Sequence, residues 1–217
     1  MNNSNWQWDP SLNEILQPIR SLPGSTVIIG ISGYGGSGKT TLAQAMADQL
    51  AAVVVSIDEF GTSSVFKRSS DWHGFDRKRL MRQVLAPLAT RGTRELSYDS
   101  CDDWDSWETV STHLVVERFL IVEGVGLFHP ELVPYLAYRI WLDVPLADAS
   151  ARGIAREESL GRVPGDVWQY VWEPNEIDFE RKFQPKESVH CMVCPRISLP
   201  CSTRTTVPFP ATRVRTP

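Results

Sequence analysis

Residues 33–40 read Gly-Tyr-Gly-Gly-Ser-Gly-Lys-Thr, a G-x-x-x-x-G-K-[ST] loop set between the apolar run Thr26-Val27-Ile28-Ile29-Gly30-Ile31 and a helix-forming segment. Few short patterns restrict a fold so strongly, because the loop works only where a buried strand hands over to a helix N-terminus. Gly33, Gly35, Gly36 and Gly38 let the backbone bend so that successive N–H groups, with that of Ser37, converge on phosphate oxygens. Lys39 supplies charge for the β- and γ-phosphates, the Thr40 hydroxyl can ligate Mg²⁺, and Thr41 continues the first helical turn. These eight residues are the expected nucleotide-binding set, with ATP and Mg²⁺ as the expected cofactors.

The chain of 217 residues, 42% hydrophobic and 22% charged, is long enough for one sizeable core. Its formal charge of −4 is unevenly spread: no acid follows Glu187, whereas Arg196, Arg204, Arg213 and Arg215 do, so the body is more acidic than the whole. An acidic body argues against nucleic acid as a partner. No apolar run approaches the roughly 18 residues that span a bilayer, and no basic residue precedes Arg20. The expectation is a cytoplasmic protein with a small-molecule partner, no membrane and no nucleic acid; a homo-oligomer stays open.

Asp9-Pro10-Ser11 opens an amphipathic helix, with Ser11 and Glu14 as a capping box and Leu12, Ile15, Leu16 and Ile19 on its apolar face. Buried-strand patterns recur at residues 52–57, 119–122 and 138–142; helical patterns occupy 41–51, 75–89 and 145–158. This alternation predicts an α/β three-layer sandwich, a central parallel sheet with helices on both faces. The expected organisation is an N-terminal helical extension (1–24), a catalytic domain (25–187) with a helical lid at about 152–166, and a C-terminal tail (188–217) rich in Pro, Ser and Thr. The tail holds His190, Cys191, Cys194 and Cys201, but one C-x-x-C without a second pair is a weak zinc signal.

Asp58 follows the strand-like Val53–Ile57 and is the candidate general base, a carboxylate placed to take the proton of an attacking hydroxyl. Glu123 ends the run 119–122 and, with Thr40 and Asp58, forms the candidate Mg²⁺ set. Arg152, Arg156 and Arg162 fall in the expected lid, where arginines can neutralise charge on a transferring phosphoryl group. Two stretches, Asp71-Trp72-His73-Gly74-Phe75-Asp76 and the acidic, aromatic Tyr98 to Glu108, are candidates for an acceptor pocket: rings stack on flat groups, carboxylates accept from hydroxyls, and clustered acids repel a phosphorylated acceptor.

Taken together, GYGGSGKT, SIDEF, DWHGFD, YDS, IVEG and the arginine-bearing lid resemble the uridine kinase and phosphoribulokinase-like group of P-loop kinases over about residues 25–187. The resemblance implies Asp58 as catalytic base, Asp71 at ribose hydroxyls, His73 beside it, and Tyr98 with Asp99 on a nucleoside. The base-contacting histidine that uridine-cytidine kinases carry after the Tyr-Asp pair is replaced here by Asp102 and Asp103. The implied function is transfer of the ATP γ-phosphate to a nucleoside hydroxyl. The alternatives are a kinase for another small alcohol (a sugar, a pantothenate-like compound or a cofactor precursor) and a non-catalytic ATP-binding regulator.

Overall fold

In the computed structural model, which describes residues 6–91, 94–101, 103–161 and 165–197, elements follow in the order β1 (Trp6–Asp9), α1 (Leu12–Arg20), β2 (Val27–Gly33), α2 (Lys39–Leu50) and β3 (Val53–Ser56). Then come α3 (Arg77–Leu80), a π-helical turn Met81–Leu85 and α4 (Ala86–Arg91), the hairpin β4 (Glu95–Ser100) and β5 (Val110–Val115), β6 (Phe119–Glu123), β7 (Tyr138–Leu142) and α5 (Leu146–Leu160). A continuous helical stretch, α6 (Gly165–Val167), π-helical Trp168–Trp172 and α7 (Glu173–Phe183), leads to β8 (Cys191–Ile197). The main sheet has the order β1-β8-β7-β2-β6-β3; all neighbours are parallel except β1, which runs antiparallel at one edge. Helices on both faces make the predicted α/β sandwich.

Every residue of β2 is buried, as both faces of a central parallel strand require. Val27, Ile29 and Ile31 pack against Ile15, Leu16 and Ile19 of α1 and Leu42 and Met46 of α2; Ile28 faces the opposite core, with Val55, Leu120, Val122, Leu80, Val84 and Leu85. Gly30 is on that second face because any Cβ there would meet Leu136 Cδ1 at 2.7 Å. The capping box forms as expected, Glu14 Oε2 accepting from the Ser11 N–H at 2.9 Å.

Two expectations are revised. The helix expected over 75–89 is interrupted by the π turn, and the region expected to be a tail from residue 188 contributes β8, in register with β7 (Ile140 opposite Cys191, Leu142 opposite Val193) and with β1. Val193 is fully buried with Ile31, Ile140 and Leu142. Residues 198–217 and Cys201 lie outside the described residues. No helix among the described residues is long and apolar enough to cross a membrane.

Two adjacent substitutions test β8. Val193→Asp should cost roughly 3–5 kcal/mol by burying an unpaired charge, whereas Met192→Asp, on the half-exposed face of the same strand, should stay within about 0.5 kcal/mol; urea denaturation followed by circular dichroism checks both, and equal small effects would return the segment to a tail.

Candidate active site

The parallel register brings three strand ends to one level. Glu123, the last residue of β6, stands opposite both Ile31 of β2 and Ser56 of β3. Ser32 Oγ donates to the Gly124 carbonyl at 2.9 Å and the Gly124 N–H to the Ile31 carbonyl at 3.1 Å, fastening the ends together. The loop of residues 33–38, the turn carrying Asp58 and Glu123 therefore open into a common cleft of ≈ 600 Å³, at the carboxyl edge where parallel sheets build their sites.

Gly36 (φ 80°) and Gly38 (φ 101°) hold left-handed backbone, and a Cβ on Gly36 would strike the Ala149 carbonyl of α5 at 2.1 Å. Lys39, buried, donates to the Tyr34 carbonyl at 2.8 Å, and burial pushes its pKa down against the pull of Glu123. Thr40 Oγ1 donates to Glu123 Oε1 at 3.1 Å. Asp58 is open to the water of the cleft yet surrounded by cleft walls; that desolvation, reinforced by the Glu123 carboxylate and opposed by Lys39, raises its pKa to about 6.

The donor set suits MgATP: loop N–H groups, the Lys39 ammonium, and Ser37 Oγ, which is buried without a hydrogen-bond partner. Mg²⁺ typically takes only one or two carboxylates and completes its shell with phosphate oxygens and water, so a hydroxyl and Glu123 suffice. Among the described residues no group of three or more His, Cys, Asp or Glu forms a self-sufficient metal cage, His190-Cys191-Cys194 included.

The far wall of the cleft is aromatic. Phe66 stacks on Trp172 (6.2 Å between centroids) and meets Trp104 edge-on at 6.0 Å; Trp107 stacks behind Trp104 at 5.8 Å. The indole N–H of Trp172 donates to the Val65 carbonyl at 2.8 Å and that of Trp104 to the Asp58 carbonyl at 3.3 Å, which fixes ring orientation. Asp103 and Asp105 lie at this end of the cleft.

The acceptor residues implied by resemblance are elsewhere. Tyr98 is buried, stacked on Phe60, and donates to Glu59 Oε2 at 2.6 Å; Asp99 accepts from Gln83 Nε2 at 2.8 Å. Asp71 accepts from Ser69 Oγ at 2.8 Å, and His73 Nδ1 lies 2.8 Å from the same hydroxyl, at a shallow surface hollow shared with Arg77 and Glu131. None of the four is among the residues that line the cleft. Of the lid arginines, Arg156 lines the cleft, its Nη2 2.7 Å from Glu157; Arg152 does not, and its Nη1 is buried without a hydrogen-bond partner. Arg162 lies outside the described residues.

Sequence reasoning passed over Trp168, Trp172, Glu176 and Glu180. Their four-residue spacing puts them on one helical face, and that face covers the loop: Trp168 Cη2 would sit 2.9 Å from a Cβ on Gly35, Glu176 Oε1 accepts the Gly35 N–H at 2.7 Å, and Glu180 accepts from the Tyr34 hydroxyl.

No protein-family model matches the chain. Among solved structures, a protein assigned as a uridine kinase from Bacillus stearothermophilus is 16% identical, with a TM-score of 0.63 over 83% of this chain and 96% of that one. One assigned as a fructose transport system kinase from Silicibacter sp. is 22% identical, with a TM-score of 0.68 over 84% and 98%. The YGR205w protein is 12% identical, with a TM-score of 0.55 over 79% and 85%. The chain has the P-loop kinase fold. A fold does not by itself set a function, which lies in the side chains of the cleft.

Because the buried Tyr98 hydroxyl donates to Glu59, Tyr98→Phe should destabilise the fold by about 0.5–1.5 kcal/mol in urea denaturation. An unchanged midpoint would mean that the hydroxyl is free for another partner.

Proposed function

We propose that this protein is an ATP-dependent phosphotransferase that moves the γ-phosphoryl group of MgATP to a hydroxyl of a small acceptor, and that the acceptor is a nucleoside. The observation that carries the reading is the place of Asp58, in a cleft with the phosphate-binding loop at one end and an aromatic wall at the other.

Each group has a task. The loop N–H groups and Lys39 hold the phosphates, while Thr40 and Glu123, with Asp58 as the further carboxylate of the cleft, would hold Mg²⁺. Mg²⁺ held there would supply charge to offset that of the phosphates. Asp58 accepts the acceptor's proton as its oxygen bonds to the γ-phosphorus; the bond to the β–γ bridging oxygen breaks, and its electron pair leaves on ADP. A carboxylate whose pKa is raised to about 6 is a better proton acceptor than an ordinary aspartate yet is mostly ionised at pH 7. Arg156, which lines the cleft, supplies a lid cation, and Arg162 is the further candidate.

The acceptor end favours a flat, unphosphorylated compound. Phe66, Trp104 and Trp172 offer ring faces and edges worth about 1–3 kcal/mol per stacked base, and Asp103 and Asp105 disfavour a second phosphate. Stacking tolerates every base, so the base preference is broad. The uridine kinase assignment of a structural neighbour supports the same class.

Asp58→Asn should lower kcat by about 10²–10⁴ while shifting ATP affinity little. In the unmutated protein kcat/KM should fall about tenfold per pH unit below a shoulder at or under pH 6, since protonated Asp58 cannot act as base and bound Mg²⁺ moves the shoulder lower; the variant should lack that limb. A coupled assay of ADP release with nucleosides, sugars, pantothenate and ribulose 5-phosphate tests the acceptor. Nucleosides should give the highest kcat/KM; a phosphorylated winner would sink the nucleoside reading, and no stimulation by any hydroxyl compound would sink the kinase reading.

A further inference from the structure

Glu176 is a buried carboxylate whose Oε1 lies 2.7 Å from the backbone nitrogen of Gly35. That N–H belongs to the loop whose donors converge on phosphate, so an acidic side chain of the protein itself holds a phosphate-type position. The contact is braced. Neighbouring Asn175, fully buried, receives the Ser69 N–H at 2.7 Å and donates to the Lys67 carbonyl at 3.1 Å, while one turn on, Glu180 accepts from the Tyr34 hydroxyl and from Lys186 Nζ at 2.7 Å. Thus α7 grips two successive loop residues, Tyr34 and Gly35, through two carboxylates on one face.

A single N–H cannot serve both a carboxylate and a phosphate oxygen, and the two anions repel. Resting on the P-loop nucleotide reading, we propose that Glu176 competes with a nucleotide phosphate for the Gly35 N–H, which makes it a positioning residue that couples nucleotide binding to the helix covering the loop.

Competition requires Glu176 to lose its charge or its contact as phosphate arrives, and the surroundings favour loss of charge. Burial raises its pKa to about 7, against the pull of Lys39 and of the Gly35 hydrogen bond, with Glu180 adding to the rise. The other charged or titratable groups around it are Tyr34 of the loop, Arg156 and Glu157 of α5, and Asp58 and Glu123 at the strand ends. A phosphate's negative charge pushes the carboxyl further up. Binding therefore takes up a proton above pH 7, and affinity falls as pH rises.

The test is isothermal titration of the full chain with the β,γ-imido analogue of ATP and excess Mg²⁺, between pH 6 and 8.5, in buffers of different ionisation enthalpy. The unmutated protein should take up close to one proton at pH 8 and lose about tenfold in affinity between pH 7 and 8.5. Glu176→Gln should bind several-fold more tightly at pH 8.5 with a flat profile, whereas Glu180→Gln, on the same helical face, should keep the slope. Proton uptake that persists in Glu176→Gln, or absent uptake in the unmutated protein, would overturn the proposal; the latter reads out even if the variant fails to fold. If neither protein bound nucleotide at any pH, the nucleotide reading itself would fail, a result distinguishable from binding without pH linkage.

Discussion

The structure depends on the way β2 ends. Through Gly33 its backbone is committed to ladders with β6 and β7, and its side chains to two cores. Beyond Gly33 the chain must turn into α2 with loop and first-turn N–H groups that no ladder can use. On the proposed reading those groups are the binding site. Parallel pairing then decides what surrounds them, since β3 and β6 finish at the same level as β2 and deliver Asp58 and Glu123 there. A one-residue slip of β6 would turn Glu123 to the other face and bury an apolar residue against Thr40, so a register fixed by Leu120, Ile121 and Val122 in the core also fixes the chemistry.

On the proposed reading, charge ties phosphate and metal together in this cleft. Lys39 is a buried cation whose charge is disfavoured by desolvation and upheld by Glu123, Glu176 and Asp58. Those acids outnumber it, and a bare polyphosphate would meet net repulsion. On the proposed reading, a divalent ion held by Thr40 and Glu123 would offset that repulsion, and Lys39 and the loop donors would hold the phosphates. On the proposed reading, Asp58 stays basic for the same reason that makes it costly to ionise: it sits among acids in a partly water-excluded cleft.

Local signals carried the sequence reading furthest. The loop's glycines are dictated by backbone geometry within eight residues, and Asp58 and Glu123 could be placed because they follow uninterrupted apolar strands. The roles of Tyr98 and Asp99 could not be placed, because they are set by pairing in the β4–β5 hairpin and by contacts to Glu59 and Gln83, at separations of 39 and 16 residues. β8 was hidden by Pro195 and by the lack of apolar periodicity; its place comes from backbone pairing to β7 plus one buried side chain, Val193. The Trp168-Trp172-Glu176-Glu180 spacing was present in the sequence as a helical stripe, but the loop residues that it meets, Gly35 and Tyr34, lie 141 and 146 residues away.

That stripe joins the two ends of the site. Trp172 forms part of the aromatic wall, Glu176 and Glu180 hold Gly35 and Tyr34, and Trp168 packs so closely on Gly153 of α5 that a Cβ there would meet it at 2.1 Å. A helix is stiff over two turns, so α7 cannot shift at Glu176 without carrying Trp172 with it, and α5 must follow through Gly153. Gly161 ends α5 in left-handed backbone. One helical face therefore touches both the loop and the aromatic wall, so on the proposed reading the phosphate and acceptor ends of the site share a single support.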